Sequence, residues 1–279
     1  MNKNIFDNDL KLEILISTMY KTSLSFLDNM FPHHDLKKLN LLIINQTEKG
    51  DELNSNYKNI RIINSYEKGL SISRNIAIKN AIGDICLIAD DDVEYLPNFE
   101  CKIFEAFSKL QHFSIIQFKI KTFSGVAYKN YPKLSKRLTR NKDLISASSI
   151  EIAFKRKEII EKNILFNPLF GLGSYFKSGE EYLFFKKALK TNLEVYFENL
   201  FIVKHKLERS TSNVASDNFV ETKAALYYYN YKNLSYAFLF KFIFFLLRKQ
   251  KISFKQFTIK YKVGVAGINK FKELKRLYE

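Results

Sequence analysis

Four short apolar runs constrain the fold of this chain more than any other feature of its sequence. They lie at residues 12–16, 39–44, 60–63 and 85–89. Each has the length of a strand and is mostly apolar, with Glu13, Asn40 and Arg61 as the polar exceptions, as in strands that are buried on both faces. Residues 23–30, between the first two runs, have roughly helical spacing and supply the crossover that parallel strands require. A further helix is expected at residues 70–81, before the fourth run. The pattern predicts a doubly wound α/β sheet with ligands at the carboxyl ends of its strands.

Three consecutive aspartates, Asp90, Asp91 and Asp92, follow the fourth apolar run without a break. Adjacent carboxylates at a strand end repel one another unless a cation compensates them. Their oxygens suit Mg²⁺ or Mn²⁺, ions that also bind a diphosphate. A solvated turn with helix-capping aspartates is the alternative interpretation.

The alternation of elements continues as far as residue 207. It predicts further strands and helices at residues 97–110, 114–123, 150–154, 179–190 and 193–203. A basic region with little periodicity, residues 128–141, is expected to be a mobile loop. In the helix at residues 70–81, we expect Ser71 or Ser73 to be the N-cap and Gly83 to end the helix.

The last part of the chain changes character. An apolar run at residues 234–247 is too short to span a bilayer, which needs about 20 apolar residues. It contains Lys241, and Arg248, Lys249 and Lys251 follow it. A helix in the membrane interface and a helix packed on the main domain or on a second subunit are the two interpretations.

The composition adds one constraint on partners and one on compartment. The net charge of +16 suits nucleic acid, phosphorylated substrates or anionic lipid, although an AT-rich coding sequence produces the same excess of lysine. Two cysteines, Cys86 and Cys101, offer neither metal-ligand spacing nor a disulfide framework, and the N-terminal residues do not resemble a signal peptide. We therefore expect a cytoplasmic protein.

Residues 69–92 read GLSISRNIAIKNAIGDICLIADDD and resemble the nucleotide-binding half of the family 2 glycosyltransferases. In that family a G-x-(S/A)-x-(S/A)-R-N helix start precedes a strand that ends in Asp-x-Asp. The resemblance implies a GT-A fold, with a mixed sheet flanked by helices. It implies a domain at residues 1–207, divided into a nucleotide-binding half (1–92) and an acceptor-binding half (93–207). Residues 208–279 lie outside the resemblance, and we expect them to form a helical extension that contacts the membrane or another subunit.

The resemblance also implies roles on the donor side. Asp90 corresponds to the carboxylate near the ribose and diphosphate, with Asp91 beside it, and Asp92 corresponds to the ligand of Mn²⁺ or Mg²⁺. Arg74 would lie beside the nucleotide, where its planar fork suits a carboxylate or a phosphate. The alternative is that Arg74 is an ordinary surface residue of the helix.

The first two strands match the family less closely. Thr18 matches the threonine of a P-T-Y-N-like turn, but Ser17 and Met19 replace its neighbours and Tyr20 comes one place later. After the second strand, Asn45 and Gln46 replace the acidic pair of the family, and their side-chain amides can still form hydrogen bonds with the edge of a nucleobase. Thr18, Tyr20 and Asn45 are therefore candidate donor-binding residues. The sequence does not identify the nucleobase of the donor, and a UDP-sugar is the expected donor.

Two further segments resemble the acceptor side of the family. Residues 148–156, SSIEIAFKR, are similar to a strand that lines the acceptor site. Residues 166–189 read FNPLFGLGSYFKSGEEYLFFKKAL and place Glu180 and Glu181 at the acidic helix start, where Glu181 takes the position of the catalytic base. Two glutamates that complement a helix dipole are the alternative. His205 falls where the family places a histidine near the metal or diphosphate, although a structural histidine is equally compatible with the sequence.

The resemblance implies an inverting, metal-dependent glycosyltransferase for surface polysaccharides such as capsule, lipopolysaccharide or exopolysaccharide. Its substrates would be a nucleotide-sugar and a glycan or lipid-linked acceptor, and it would work at the inner face of the cell membrane. A non-enzymatic protein that binds RNA or membranes is the alternative. Uncompensated aspartates repel a polyanion, so we do not expect nucleic acid as a partner. A sugar nucleotidyltransferase is excluded because no glycine precedes Gly50 to form its phosphate loop. An aspartyl-phosphate phosphatase needs an Asp-x-Asp-x-Thr/Val motif, and Glu94 occupies the last position of that motif here.

Overall fold

The protein is described by a computed structural model that covers residues 10–145, 147–207 and 213–278. The chain forms two compact units. The first comprises Met1–Asn167 and Glu181–Leu207, and the second comprises Pro168–Glu180 and Glu208–Glu279. The division after Leu207 falls where the sequence changes character. Residues 168–180 group with the C-terminal helices, which the sequence pattern does not indicate.

The first unit is built on one mixed sheet. Its described strands are β1 (Leu12–Met19), β2 (Asn40–Gln46), β3 (Ile60–Ser65), β4 (Ile85–Asp90), β5 (Glu94–Tyr95), β6 (Ile115–Thr122), β7 (Lys136–Arg137), β8 (Ile152–Lys155) and β9 (Val195–His205). They lie in the order β3-β2-β1-β4-β8-β6-β9-β5, and β7 also pairs with β9. The helices among these strands are α1 (Phe26–Met30), α2 (Leu70–Asn80), α3 (Phe99–Lys109), α4 (Asn141–Leu144), α5 (Arg156–Glu161) and α6 (Glu180–Lys190). A mixed sheet with flanking helices confirms the predicted fold class.

The four apolar runs form the parallel half of the sheet. β1 lies between β2 and β4, with Ser17 beside Asp90 and Thr18 beside Asn45. β1, β2 and β4 are buried on both faces over most of their length, which explains why their sequences are mostly apolar without alternation, whereas β3 is only partly buried over residues 61–64. Because the strands are parallel, their polar carboxyl ends meet at one edge of the sheet.

The start of α2 differs from the prediction. Gly69 is the N-cap, with a φ of 130°, and its N–H donates to Gln46 Oε1 at 2.7 Å. Ser71 and Ser73 lie inside the helix and are fully buried, so the prediction that one of them is the cap is wrong. The helix ends at Asn80. A Cβ on Gly83 would lie 2.6 Å from Glu13 Cβ, so glycine permits close approach to β1 there.

The other half of the sheet is mixed. β8 is antiparallel to both β4 and β6, whereas β6 and β9 are parallel. The chain leaves β6 and enters β8 at the same edge of the sheet, so this connection needs no crossover helix.

The basic region at residues 128–141 is held by hydrogen bonds to a buried carboxylate, that of Glu151. Glu151 is fully buried and accepts hydrogen bonds from Gln117 Nε2 and Lys129 Nζ at 2.6 and 2.7 Å. The Tyr131 hydroxyl donates to its other oxygen at 2.7 Å. β7 adds backbone pairing with β9. The region predicted as a loop is thus tied to the sheet by a carboxylate that the sequence does not single out.

The second unit contains three long helices, α7 (Asp217–Tyr231), α8 (Ser235–Arg248) and α9 (Phe254–Tyr278). Their shared core includes Val220, Leu239, Ile243, Leu246 and Ile268. A Cβ on Gly264 of α9 would lie 2.4 Å from Leu239 Cδ1, so this glycine allows α9 to pack closely on α8. The sequence predicts a helical extension but does not predict α9 as a helix distinct from α7 and α8.

The apolar run at residues 234–247 lies mostly in α8 and has two faces. Leu239, Ile243 and Leu246 are in the core, while Phe240, Phe244 and Phe245 are 52%, 48% and 48% exposed. The run is therefore partly a packing helix and partly an exposed aromatic surface. In the described part of the chain, no helix combines the length and the apolar character that crossing a membrane requires.

Candidate active site

The carboxyl ends of β1 and β4 bring Thr18 next to the aspartates. Thr18 Oγ1 donates to Asp91 Oδ2 at 2.5 Å, and the Lys21 ammonium lies 3.0 Å from the same oxygen. The charge of Asp91 is therefore compensated by residues of the first strand end. Lys21 follows that strand by two positions, and nothing in the sequence pattern marked it.

Arg74 is a buried partner of Asp90. Its guanidinium is 3% exposed, and Nη2 donates to both carboxylate oxygens of Asp90 at 2.9 and 3.2 Å. Burial raises the pKa of Asp90, and the Arg74 charge opposes that rise. The guanidinium carbon lies 5.6 Å from the centre of the Phe166 ring. The alternative that Arg74 is a surface helix residue is therefore wrong.

The chain fold joins Asp92 to His205. His205 Nε2 lies 3.2 Å from Asp92 Oδ2, and this hydrogen bond holds the pKa of Asp92 below its ordinary value. The Asp92 side chain is 57% exposed, whereas the His205 side chain is 10% exposed. The Tyr128 ring meets the imidazole edge to face at 5.5 Å. An exposed carboxylate is thus oriented by a buried histidine from a distant strand.

The Asp92–His205 pair offers two ligands of the kind that Mn²⁺ accepts. Across residues 10–145, 147–207 and 213–277, no three His, Cys, Asp or Glu side chains gather as a metal site. Mg²⁺ and similar ions in phosphate-transfer sites often use one or two protein ligands, with phosphate and water completing the shell. The residues present fit a cation that is shared with a bound diphosphate.

Glu181 joins the same group of side chains. Its Oε1 accepts a hydrogen bond from Ser149 Oγ, and Arg74 Nη1 lies 3.6 Å from that oxygen. One guanidinium therefore contacts both Asp90 and Glu181. Ser149 was not predicted as a site residue, and the only sequence signal for it is its place in the segment at residues 148–156. Glu180 is 5% exposed and belongs to the second unit.

Asn45 and Tyr20 occupy different environments. Asn45 is fully buried, and its amide exchanges hydrogen bonds with the backbone N–H and C=O of Lys21 at 3.1 and 3.0 Å. It holds the end of β1 in place. Tyr20 has a φ of 54° and is 47% exposed, with the Lys68 ammonium 5.6 Å from its ring centre. Their donor-binding roles stay predictions.

Comparison with known families decides the classification. The family model described as Glycosyl transferase family 2 matches residues 36–176, which is half of the chain. The chain belongs to glycosyl transferase family 2. The matched range contains Asn45, Arg74 and the three aspartates, while Thr18, Tyr20, Glu180, Glu181 and His205 lie outside it.

Solved structures show the same fold as this family 2 chain. A crystal structure of S. aureus TarS, residues 1–349, aligns with a TM-score of 0.56 and 14% identity, covering 97% of this chain and 92% of TarS. The same TarS fragment in complex with UDP-GlcNAc aligns with a TM-score of 0.56 and 16% identity, covering 94% and 80% of the two chains. A complex of that fragment with UDP aligns at 0.55 with 14% identity, covering 97% and 92%. A search of curated proteins finds no significant match. The GT-A fold implied by the sequence is thereby confirmed.

Proposed function

We propose that this protein is an inverting glycosyltransferase that moves a sugar from a UDP-sugar to a hydroxyl group of a glycan or lipid-linked acceptor. The observation that carries the proposal is the buried Arg74 guanidinium, which contacts Asp90 on one side and Glu181 on the other. A candidate donor-side carboxylate and a candidate base then face one fixed cation. Membership of family 2 and the TarS complexes with UDP and UDP-GlcNAc support a nucleotide-sugar donor.

Glu181 is proposed as the base that takes the proton from the acceptor hydroxyl during attack on the anomeric carbon. Ser149 and Arg74 both contact Oε1, so Oε2 is the oxygen positioned to accept the proton. A single base and no protein nucleophile give inversion at that carbon. Glu180 is the second candidate for this role because it is the adjacent residue at the same helix start.

Asp92 and His205 are proposed to hold Mn²⁺ or Mg²⁺. Such an ion, when bound, neutralises negative charge that develops on the diphosphate leaving group. His205 Nε2 and Asp92 Oδ2 lie 3.2 Å apart, a separation at which both atoms can bind one ion, and the exposed carboxylate can reach a ligand. Arg74 and Lys21 keep positive charge beside Asp90 and Asp91, which lowers the cost of bringing a diphosphate to these carboxylates.

The proposed setting is the synthesis of a surface polysaccharide at the inner face of the cell membrane. The net charge of +16 and the exposed Phe240, Phe244 and Phe245 on α8 support peripheral contact with an anionic surface. Contact between copies through the same helices is the competing arrangement, and vesicle sedimentation of α8 surface variants distinguishes the two.

A thermal-shift and turnover experiment tests the proposed reaction. We expect Mn²⁺ with UDP to raise the Tm, because a ligand that binds only the folded state stabilises it, and we expect a single-stranded RNA oligonucleotide to leave the Tm unchanged. A screen of nucleotide-sugars should then find one that is hydrolysed slowly and only with the metal. A Tm shift with RNA and none with UDP would instead establish the non-enzymatic binding protein.

A further inference from the structure

A cavity of about 320 Å³ lies within the second unit, and its described lining shares no residue with the aspartate site. Its described lining consists of Tyr228 of α7, Lys232 directly after α7, and Lys272, Lys275 and Arg276 of α9. Four of these five side chains are cationic, and none of them is acidic. Glu273 lines an adjoining opening with Lys272 and Arg276. The cavity thus concentrates positive charge in a small concave space.

Elsewhere on α9, lysines are neutralised by acids of α7. Lys260 Nζ lies 2.7 Å from Asp217 Oδ1, and Lys270 Nζ lies 3.1 Å from Glu221 Oε1. For Lys272, which lines the cavity, aromatic residues take the place of those acids. Lys272 Nζ donates to the Tyr236 hydroxyl at 2.9 Å and lies 4.9 Å from the centre of the Tyr228 ring. These contacts orient the ammonium without cancelling its charge.

The same Tyr228 ring carries a second cation, because Lys232 Nζ lies 5.5 Å from its centre. Two ammonium groups on one ring repel each other, and an anion between cations relieves that repulsion. Lys232 also has a φ of 50° with a ψ of −122°, backbone values that favour glycine over lysine. A lysine is held there at a cost in conformational energy, and its side chain points to the cavity.

We infer that this cavity binds a phosphate oxyanion, either a phosphate monoester or a diphosphate. Lys275 and Arg276 come three and four positions after Lys272, so the three cations share one face of α9. An arginine fork with several lysine point charges is the donor set that proteins use for phosphate. The volume suits a headgroup or a small phosphate ester. Its lining residues all differ from those of the proposed donor site, and the inference does not depend on the proposed reaction.

A matched pair of variants tests the inference in the full chain. Lys275→Gln with Arg276→Gln removes two charges from the cavity, and Lys255→Gln with Lys262→Gln removes two exposed charges from the same helix outside it. Calorimetric titration with inorganic pyrophosphate in EDTA should give an affinity about tenfold weaker for the first variant than for the second. Equal affinity in the two variants would overturn the inference.

Lys232→Gly gives a test in which stability and binding move in opposite directions. Removing a side chain from a backbone that favours glycine should raise the Tm, while loss of the ammonium should weaken pyrophosphate binding. Unchanged pyrophosphate affinity in this variant contradicts the proposed site. Flotation with phosphatidic acid vesicles then separates two sources of the anion. Binding to vesicles that pyrophosphate competes away identifies a lipid headgroup, and binding of pyrophosphate without vesicle binding identifies a soluble phosphate ester.

Discussion

Asp92 and Asp91 are neighbours with different surroundings. Asp91 has Thr18 and Lys21 against one oxygen, whereas Asp92 has a more exposed carboxylate that His205 orients. We expect Asp92→Asn to lower kcat by at least about a thousandfold, because a lost cation removes several kcal/mol of transition-state stabilisation. EDTA should silence the wild type, and Mn²⁺ should restore it. The exposed Asp51→Asn is the control, and full activity in EDTA would exclude the metal assignment.

The two adjacent glutamates at the start of α6 allow a second residue-level test. Glu181→Gln should lower kcat by roughly 10² to 10⁴ and leave UDP affinity nearly unchanged, since proton transfer is lost while donor contacts persist. Glu180→Gln should have the milder effect on kcat, because the contacts to Arg74 and Ser149 are made by Glu181. Steady-state kinetics and UDP titration measure the two quantities. A larger kcat defect for Glu180→Gln would show that Glu180, and not Glu181, is the catalytic base.

At the scale of elements, Glu151 connects three segments through one buried carboxylate. Its oxygens accept from β6 (Gln117), from the basic region (Lys129 and Tyr131) and from the backbone N–H of Ser148. Glu151→Gln replaces one acceptor oxygen with an amide NH₂ group, which would face hydrogen-bond donors that it cannot accept from. We expect this change to lower the free energy of unfolding by about 2 kcal/mol. Urea denaturation measures this effect, and the exposed Glu161→Gln is the control. Equal stability of the two variants would show that the network contributes little.

Elements that depend on local pattern were predictable from the sequence, and those that depend on distant pairing were not. The apolar runs predicted β1 to β4 within a few residues, because the burial of these strands makes their composition mostly apolar. The direction of β8 and the grouping of residues 168–180 with the second unit leave no such mark. In the site, the segment at residues 69–92 indicated Arg74 and the aspartates. The contact between Asp92 and His205 joins positions 113 residues apart, so only the resemblance could suggest it.

At the scale of the whole molecule, charge and exposed aromatic surface act together. The chain carries a net charge of +16, and Arg248, Lys249 and Lys251 follow the helix that exposes three phenylalanines. Deleting everything after Asn233 would also remove Leu239, Ile243 and Leu246 from the core of the second unit, so a deletion would confuse binding with unfolding. Surface substitutions on α8 avoid that problem.

We therefore expect the full chain to sediment with vesicles that contain phosphatidylglycerol, and the triple variant Phe240→Ser, Phe244→Ser and Phe245→Ser to bind at least about a hundredfold more weakly. Each phenylalanine that leaves water contributes roughly 1.5–3 kcal/mol, and each nearby basic residue adds about 1 kcal/mol at an anionic surface. Ile82→Ser with Leu134→Ser, which removes exposed apolar side chains from the first unit, should bind like the wild type. Because only part of the attraction is electrostatic, high salt should weaken binding without abolishing it. If the wild type stays in the supernatant as a dimer that the triple variant converts to a monomer, the aromatic surface of α8 is a subunit interface.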